Sequence, residues 1–208
     1  MRLLHVGSLN IRDFTGRAVP PYAILSHTWG EEEVSFKDMT KGRALGMKGY
    51  DKIKACCRQA QLHCLEYVWI DACCIDKRSS AELSESINSM YRWYKEAQIC
   101  YAYLEDVTWS FGSQLDDTTV NQGLPDSFLS SRWFSRGWTL QELISPPVLV
   151  FYSSEWSEIG SKNTLRNTIT KITGIPRDAL EGFSGGYSVA QKMSWASKRK
   201  TTRVEDEA

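Results

Sequence analysis

At 208 residues the chain fits one domain, and a domain of this size buries about 70% of its unfolded surface without disulfide or metal staples. Lys+Arg and Asp+Glu both number 25, so the net charge is zero and the overall basic balance of a nucleic-acid binder is missing. No apolar run approaches the ~18 residues of a membrane span, and residues 1–5 lack a signal peptide's long apolar stretch, so the chain reads as cytoplasmic.

Residues 22–26 (YAILS) follow Pro20 and Pro21 and predict a short buried strand. The run breaks into His27, Thr28, Trp29 and Gly30, then three successive glutamates at 31–33. Between Tyr50 and Cys64 the apolar positions Ile53, Cys56, Cys57, Ala60 and Cys64 recur at helical period, with Lys52, Lys54, Arg58 and Gln59 opposite. Residues 67–71 (YVWID) predict a second buried strand. Ser79 and Glu82 have the spacing of a capping box, opening a helix striped by Leu83, Ile87, Met90, Tyr91 and Tyr94. Residues 98–104, rich in aromatics, predict a third strand, and 105–126 an acidic loop or insertion.

The segment 131–143 starts irregular and ends helical, and Pro146 and Pro147 bar that helix from continuing before a strand at 148–152. Leu165, Ile169 and Ile172 mark a further helix closed by Gly174 and Pro176, followed by a flexible turn at 182–186 and a short helix at 188–196. The basic cluster at 198–203 is answered by acids at 205–207 and reads as a solvated face. Buried strands alternating with amphipathic helices predict an α/β domain with a mainly parallel sheet. Such sheets bind ligands beyond the strands' carboxyl ends, here near Ser26, His27, Asp71 and the loop after Leu104.

The fingerprints GxGxxG, GxxxxGK[ST], HExxH and GxSxG do not occur. His27 either holds its loop or pairs with Cys73 or Cys74 as a nucleophile's base, and Asp71 either caps the turn after its strand or touches a ligand. The six cysteines, at 56, 57, 64, 73, 74 and 100, have the wrong spacing for paired zinc hooks and make a poor disulfide framework. Free thiols and no bound metal are the expectation. Segment 131–143 carries two tryptophans, two arginines and one carboxylate. Trp138 and Glu142 are four apart, on one helical face, so an aromatic plane and a carboxylate can point into one pocket. The plainer alternative packs the tryptophans into the core and leaves Glu142 in water.

Three blocks, residues 22–30 (YAILSHTWG), 67–77 (YVWIDACCIDK) and 132–143 (RWFSRGWTLQEL), resemble in order and spacing the signature blocks of the fungal heterokaryon-incompatibility (HET) domain. The resemblance is close over about residues 20–155 and implies one domain over 1–208. The stretch from residue 198 resembles a family segment that normally runs on further, so the chain reads as a fragment. Family members trigger regulated cell death when genetically different cells fuse, and the domain often precedes nucleotide-binding or repeat modules. The HET domain is in turn similar to Toll/interleukin-1 receptor (TIR) domains, which have a flavodoxin-like fold and several of which cleave NAD at the nicotinamide–ribose bond. Residues 22–30 resemble the first TIR strand and its following loop, which implies substrate contacts for Ser26, His27 and Trp29 and, at the neighbouring strand end, Asp71.

Residues 135–143 resemble the TIR box S-x-W-C-x-x-E-L, with an extra residue before the tryptophan and Thr139 in place of cysteine. Carried across, the catalytic glutamate falls on Glu142 and the box tryptophan on Trp138, with Arg132 and Arg136 as candidates for the pyrophosphate. The nicotinamide ring is already cationic and departs neutral, so no general acid is needed, unlike ordinary glycoside hydrolysis. One carboxylate beside the ribose can stabilise the oxocarbenium-like transition state. The resemblance thus implies NAD as substrate rather than cofactor, self-association as the activating event, and sensor modules as partners. The rival from another class is a non-enzymatic module that kills through assembly.

Overall fold

The computed structural model describes residues 1–109, 123–182, 186–197 and 199–201. An N-terminal hairpin, β1 (Arg2–His5) and β2 (Ile11–Asp13), leads into four strands that lie side by side in the sheet's centre: β3 (Ala23–His27), β4 (Tyr67–Trp69), β5 (Ile99–Tyr103) and β6 (Leu149–Tyr152). With β7 (Glu158–Ser161) they form one seven-stranded sheet in the order β2-β1-β4-β3-β5-β6-β7. The β4–β3, β3–β5 and β5–β6 pairs are parallel. The β1 and β7 pairings onto this centre are antiparallel. All of β3, β4 and β6 is buried, and all of β5 after Ile99, as strands covered on both faces require. Counted along the chain, the parallel strands run 2-1-3-4, the flavodoxin-like order, with the reversal between β3 and β5.

The parallel centre meets the sequence expectation of a mainly parallel sheet, and antiparallel margins are added to it. β1, β2 and β7 are three or four residues long, with β2 and β7 partly exposed, too short for their alternation to stand out. The second predicted strand also ends early: β4 stops at Trp69, and Asp71 opens the one-turn helix α3 (Asp71–Cys74), after α1 (Phe36–Thr40) and α2 (Lys48–Leu62).

α2 buries Ile53, Cys56, Cys57 and Ala60 as its period predicts. Its polar side reaches the sheet as well, for Gln59 Nε2 donates to the Tyr152 hydroxyl at 2.9 Å and His63 Nδ1 lies 2.8 Å from the Tyr101 hydroxyl. α4 (Ser80–Glu96) starts on Ser79, whose hydroxyl accepts from the Glu82 N–H. The reciprocal half of the expected capping box is missing, because the Glu82 carboxylate turns to the Asp76 N–H and to Arg2. The buried stripe of α4 runs through Ser86, Met90, Trp93 and Tyr94, while Ile87 and Tyr91, assigned to it from sequence, are exposed.

Of the predicted loop at 105–126, residues 110–122 lie outside the described residues, and α5 (Asp126–Leu129) begins at its end. A 3-10 turn (Arg132–Ser135) and α6 (Thr139–Ile144) precede β6. α7 (Arg166–Thr173) ends on left-handed Gly174, and Pro176 caps α8 (Arg177–Leu180). α9 (Val189–Ala196) opens on a capping box of Ser188 and Gln191. Of the predicted turn at 182–186 and basic cluster at 198–203, residues 183–185, 198 and 202–208 fall outside the described residues. Among the described residues no helix is long and apolar enough to cross a membrane.

Candidate functional site

Side chains alternate along a strand, so Ser26 and His27 at the end of β3 point to opposite faces of the sheet. Each organises its own cluster.

On one face, Ser131 caps the 3-10 turn by accepting from the Trp133 N–H and donating to Asp106 Oδ1 at 2.8 Å. The turn sets Trp133, fully buried, edge-on against Phe134 and Phe151. Trp133 Nε1 donates to Ser26 Oγ at 2.8 Å, and Ser26 donates onward to Glu142 Oε2. The Tyr94 hydroxyl reaches the same carboxyl and donates to the Leu25 carbonyl at 3.1 Å. Glu142, on the first turn of α6, is 6% exposed. Burial drives its pKa up to about 8; the Ser26 hydrogen bond pulls it back in part, while the charge of Asp71 adds to the rise. At neutral pH the carboxyl therefore holds its proton.

The two ends of α6 are also tied down. Lys162, 3% exposed, donates to the Leu143 and Pro146 carbonyls at 3.3 and 2.6 Å, and burial lowers its pKa to about 8. Arg199 donates to the Arg136 carbonyl at 3.0 Å and to Thr139 Oγ1 at 2.8 Å. Lys200 adds backbone bonds to Ser135 and Gly137, so residues 199–201 lie as a strap across the segment before α6.

On the other face His27 faces α2. Its Nδ1 lies 2.8 Å from the Lys52 ammonium, which can only donate, so Nδ1 accepts and the Nε2–H donates to Asp71 Oδ1 at 3.0 Å. Trp29 Nε1 donates to Asp71 Oδ2 at 2.8 Å, and the Lys77 ammonium stands 3.3 Å over the Trp29 ring. Burial alone would raise the pKa of Asp71; the hydrogen bonds from His27 and Trp29 and the charge of Lys77 overcome it and hold the carboxyl well below the usual range. Lys52 also pairs with Glu33 at 2.5 Å. These groups back onto a cleft of about 750 Å³ whose lining includes Trp29, Lys52, Arg58, Tyr103, Arg132 and Trp156. It lies at the carboxyl ends of β3 and β5, where the strand order reverses and open α/β sheets hold ligands.

The single pocket expected from sequence is thus divided between two faces. Trp29 and Arg132 line the cleft, and Asp71 bonds its rim through Trp29; Glu142, Ser26, Trp138 and Arg136 are not part of its lining. Trp138 is the half-buried N-cap of α6, one turn before Glu142 as the spacing predicts, since the Glu142 N–H reaches its carbonyl at 3.4 Å. The indole linked to the carboxyl through Ser26 is Trp133, and Arg136 acts on Glu142 through its charge. The sequence pattern puts Tyr94 in the core stripe of α4 and Lys52 on the polar side of α2, and nothing in it marks Trp133 or Glu33 as partners in a site. The period-two alternation of β3 was the available clue that Ser26 and His27 diverge.

The Cys/His nucleophile pair is not assembled. Both ring nitrogens of His27 are taken by Asp71 and Lys52, and the sulfurs of Cys73 and Cys74 turn to the Ile70 backbone. The six cysteines are free thiols, all buried except Cys64, and among the described residues no group of three or more His, Cys, Asp or Glu is placed to hold a metal.

Fold and clefted strand ends define an α/β domain with a ligand-sized opening at its switch point. Residues 22–124 match the model of the family described as heterokaryon incompatibility protein (HET), a span that takes in Ser26, His27, Lys52 and Asp71 and stops before Glu142. Over 200 residues, 95% of the chain, the sequence is 47% identical to the vegetative incompatibility protein HET-E-1 of Podospora anserina, of which it spans 14% of the length. No solved structure matches. The chain belongs to the heterokaryon-incompatibility family.

Proposed function

We propose that the chain is a TIR-like effector domain of the incompatibility response, an innate-immune system of fungi, which kills the cell by cleaving NAD at the nicotinamide–ribose bond with Glu142. The observation that carries this reading is a carboxyl group buried at the end of the first parallel strand with its pKa raised to about 8, for strongly perturbed carboxyls cluster at catalytic sites. The neutral departure of nicotinamide leaves one task, stabilising positive charge on the ribose, and a single carboxylate in a dry setting does this well.

In the closed arrangement Glu142 is protonated and covered, so the reaction requires α6 to open and the carboxyl to ionise. Self-association is the proposed trigger, supplied in the cytoplasm by nucleotide-binding or repeat modules of a longer chain; the relative that matches is itself much longer. Incubating the purified protein with NAD and following nicotinamide release tests the reading: Glu142→Gln should abolish release and cell killing. Specific activity should rise with concentration; a flat profile across a hundredfold dilution would remove self-association from the proposal.

A second reading is favoured by the contacts of Glu142 with Ser26 and Tyr94 and its place outside the cleft lining. Here the residue pins α6 to β3, and the domain kills through assembly without chemistry. Undiminished toxicity of a well-expressed Glu142→Gln protein decides for this module.

A further inference from the structure

Trp156 has a backbone φ of 61, in the left-handed region that a bulky residue rarely occupies. Strain of this kind persists where surrounding bonds over-determine it, and it clusters at ligand sites. Here the Trp156 N–H bonds the Ser153 carbonyl at 2.9 Å, and the Ser154 N–H bonds the Val107 carbonyl at 2.8 Å. The neighbouring Glu155 carboxylate accepts from the Trp109 N–H and from the Ser153 and Ser154 hydroxyls. The indole stacks on Tyr103 with centroids 5.0 Å apart and planes 23° apart. The ring also packs on Tyr152, with centroids 5.7 Å and planes 38° apart, and Trp156 lines both the 750 Å³ cleft and a second groove of about 490 Å³ along α2, so it stands where the two spaces meet.

Arg58, which is exposed, faces both spaces beside it. Two other cations of the cleft are committed, Lys52 to Glu33 and His27 and Arg132 to Glu105 and Asp106. Arg58 and Lys48 form no salt bridge among the described residues. A rigid aromatic platform with Arg58 and Lys48 nearby suits a planar ring that carries a phosphate, in a lining that also holds the carboxylates of Glu31, Glu32, Asp51 and Glu155. The cleft volume falls within the roughly 300–1,000 Å³ of small-molecule sites, and the adjoining groove leaves room for a longer molecule.

We infer that this cleft binds a nucleotide, its base against Trp156 and its phosphate met by Arg58 and Lys48. The ligand is a nucleoside phosphate, either the adenylate half of NAD or a free adenine nucleotide. Naming it as the substrate's half rests on the proposed NAD cleavage; the binding itself does not.

Calorimetric titration of AMP and of NAD into the purified chain, with variants, tests the inference. Wild type should bind both nucleotides below millimolar concentration. Trp156→Gly places at φ 61 the residue at home there, which preserves the fold, and should weaken binding at least tenfold. Arg58→Glu, an exposed change, should do the same and lose salt sensitivity. Competition between AMP and NAD, with Trp156→Gly raising KM for nicotinamide release at unchanged kcat, identifies the substrate's half. Binding of AMP with these dependences but no competition identifies a free nucleotide. Either result upholds the site. Binding within twofold of wild type in folded Trp156→Gly and Arg58→Glu, or no wild-type binding at millimolar nucleotide, overturns it. Intact binding without any nicotinamide release sinks the proposed NAD cleavage and leaves the cleft standing.

Discussion

Ser26 and His27 are neighbours on β3, yet they serve two unlike environments. On the α6 face Ser26 meets Glu142 among Tyr94, Trp133 and Cys100, closed from solvent, with the Ser26 hydroxyl donating to the carboxyl. On the α2 face His27 meets Asp71, Lys52 and Glu33 at the edge of an open cleft, among N–H donors and ammonium groups. Both carboxyls feel desolvation, but Glu142 rises to about 8 while Asp71, its side chain 20% exposed, is held well below the ordinary range. The number and charge of the donors decide the state of a carboxyl, and burial alone does not. Environments that push two nearby carboxyls apart are a way of assigning one as proton holder and the other as fixed anion.

The largest test of this contrast is a pair of tryptophan truncations. Trp133→Ala removes a fully buried indole and leaves Ser26 without its donor, and should cost about 3–5 kcal/mol. Trp29→Ala, on the half-buried rim, should cost under about 2 kcal/mol. Urea unfolding of both proteins is the measurement, and equal losses would erase the distinction between a closed and an open cluster.

The pH dependence of stability separates the faces next. Glu142 keeps its proton in the folded chain up to about pH 8 and loses it when unfolded near the ordinary glutamate value of 4.5. Between those limits the native state binds the extra proton, so this group makes stability fall with rising pH, by about 1.4 kcal/mol per unit at most. Asp71 has the opposite sign: its depressed pKa gives stability above the usual carboxylate range that is lost as pH falls below it. Glu142→Gln should therefore flatten the curve between pH 5 and 8, and Asp71→Asn should flatten only the acid limb. A Glu142→Gln curve parallel to wild type across pH 5–8 would show that the carboxyl is ionised in the native state.

The parallel centre of the sheet was legible in sequence because β4, β5 and β6 are apolar runs and β3 opens on one, and α2 because its period is clean over fifteen residues. The margins were not, because β2 has one half-buried and two exposed residues and nothing in such a segment marks a strand. Within the site, Glu142, Ser26, His27, Trp29 and Asp71 were all singled out, and the four-residue step from Trp138 to Glu142 is present. What spacing does not carry is partnership across the fold. Ser26 and Glu142 lie 116 residues apart, and Trp133 reaches Ser26 over 107, so their contact depends on how α6 and the 3-10 turn dock on the sheet. The stripe error on α4 has a similar source: Trp93 outcompetes Ile87 for the core by packing on Trp69, with centroids 5.4 Å apart and planes tilted by 59°.

A smaller effect sharpens the comparison from the cleft side. Gly49 is buried against the backbone of the glutamate segment, where an added Cβ would stand 2.6 Å from the Glu32 carbonyl and 3.1 Å from the Val34 nitrogen. Gly49→Ala must push the 31–34 segment outward, at a cost of about 1–3 kcal/mol. It should displace Glu33 and loosen Lys52 and His27, while the stability slope between pH 5 and 8 stays as in wild type. A change in that slope would mean that the two faces are mechanically coupled.

The smallest expected effect on stability belongs to Arg132, and that smallness makes it useful. Its side chain is 62% exposed and pairs with Glu105 and Asp106 only at 3.5 Å, the regime in which ion pairs contribute under about 1 kcal/mol. Arg132→Ala should melt within a few degrees of wild type, and Lys at this position should behave similarly. Yet the residue lines the cleft, whereas Arg136 lies on the other side of the division, where its charge acts on Glu142. Removing Arg132 should therefore change ligand affinity at the cleft without altering the titration of Glu142. Arg136→Ala should do the reverse, raising the Glu142 pKa further because one cation that favours its ionised form is gone. Carboxyl chemical shifts followed by NMR across pH 5–9 in the two variants measure this directly. Identical titration of Glu142 in both would show that neither arginine distinguishes the faces.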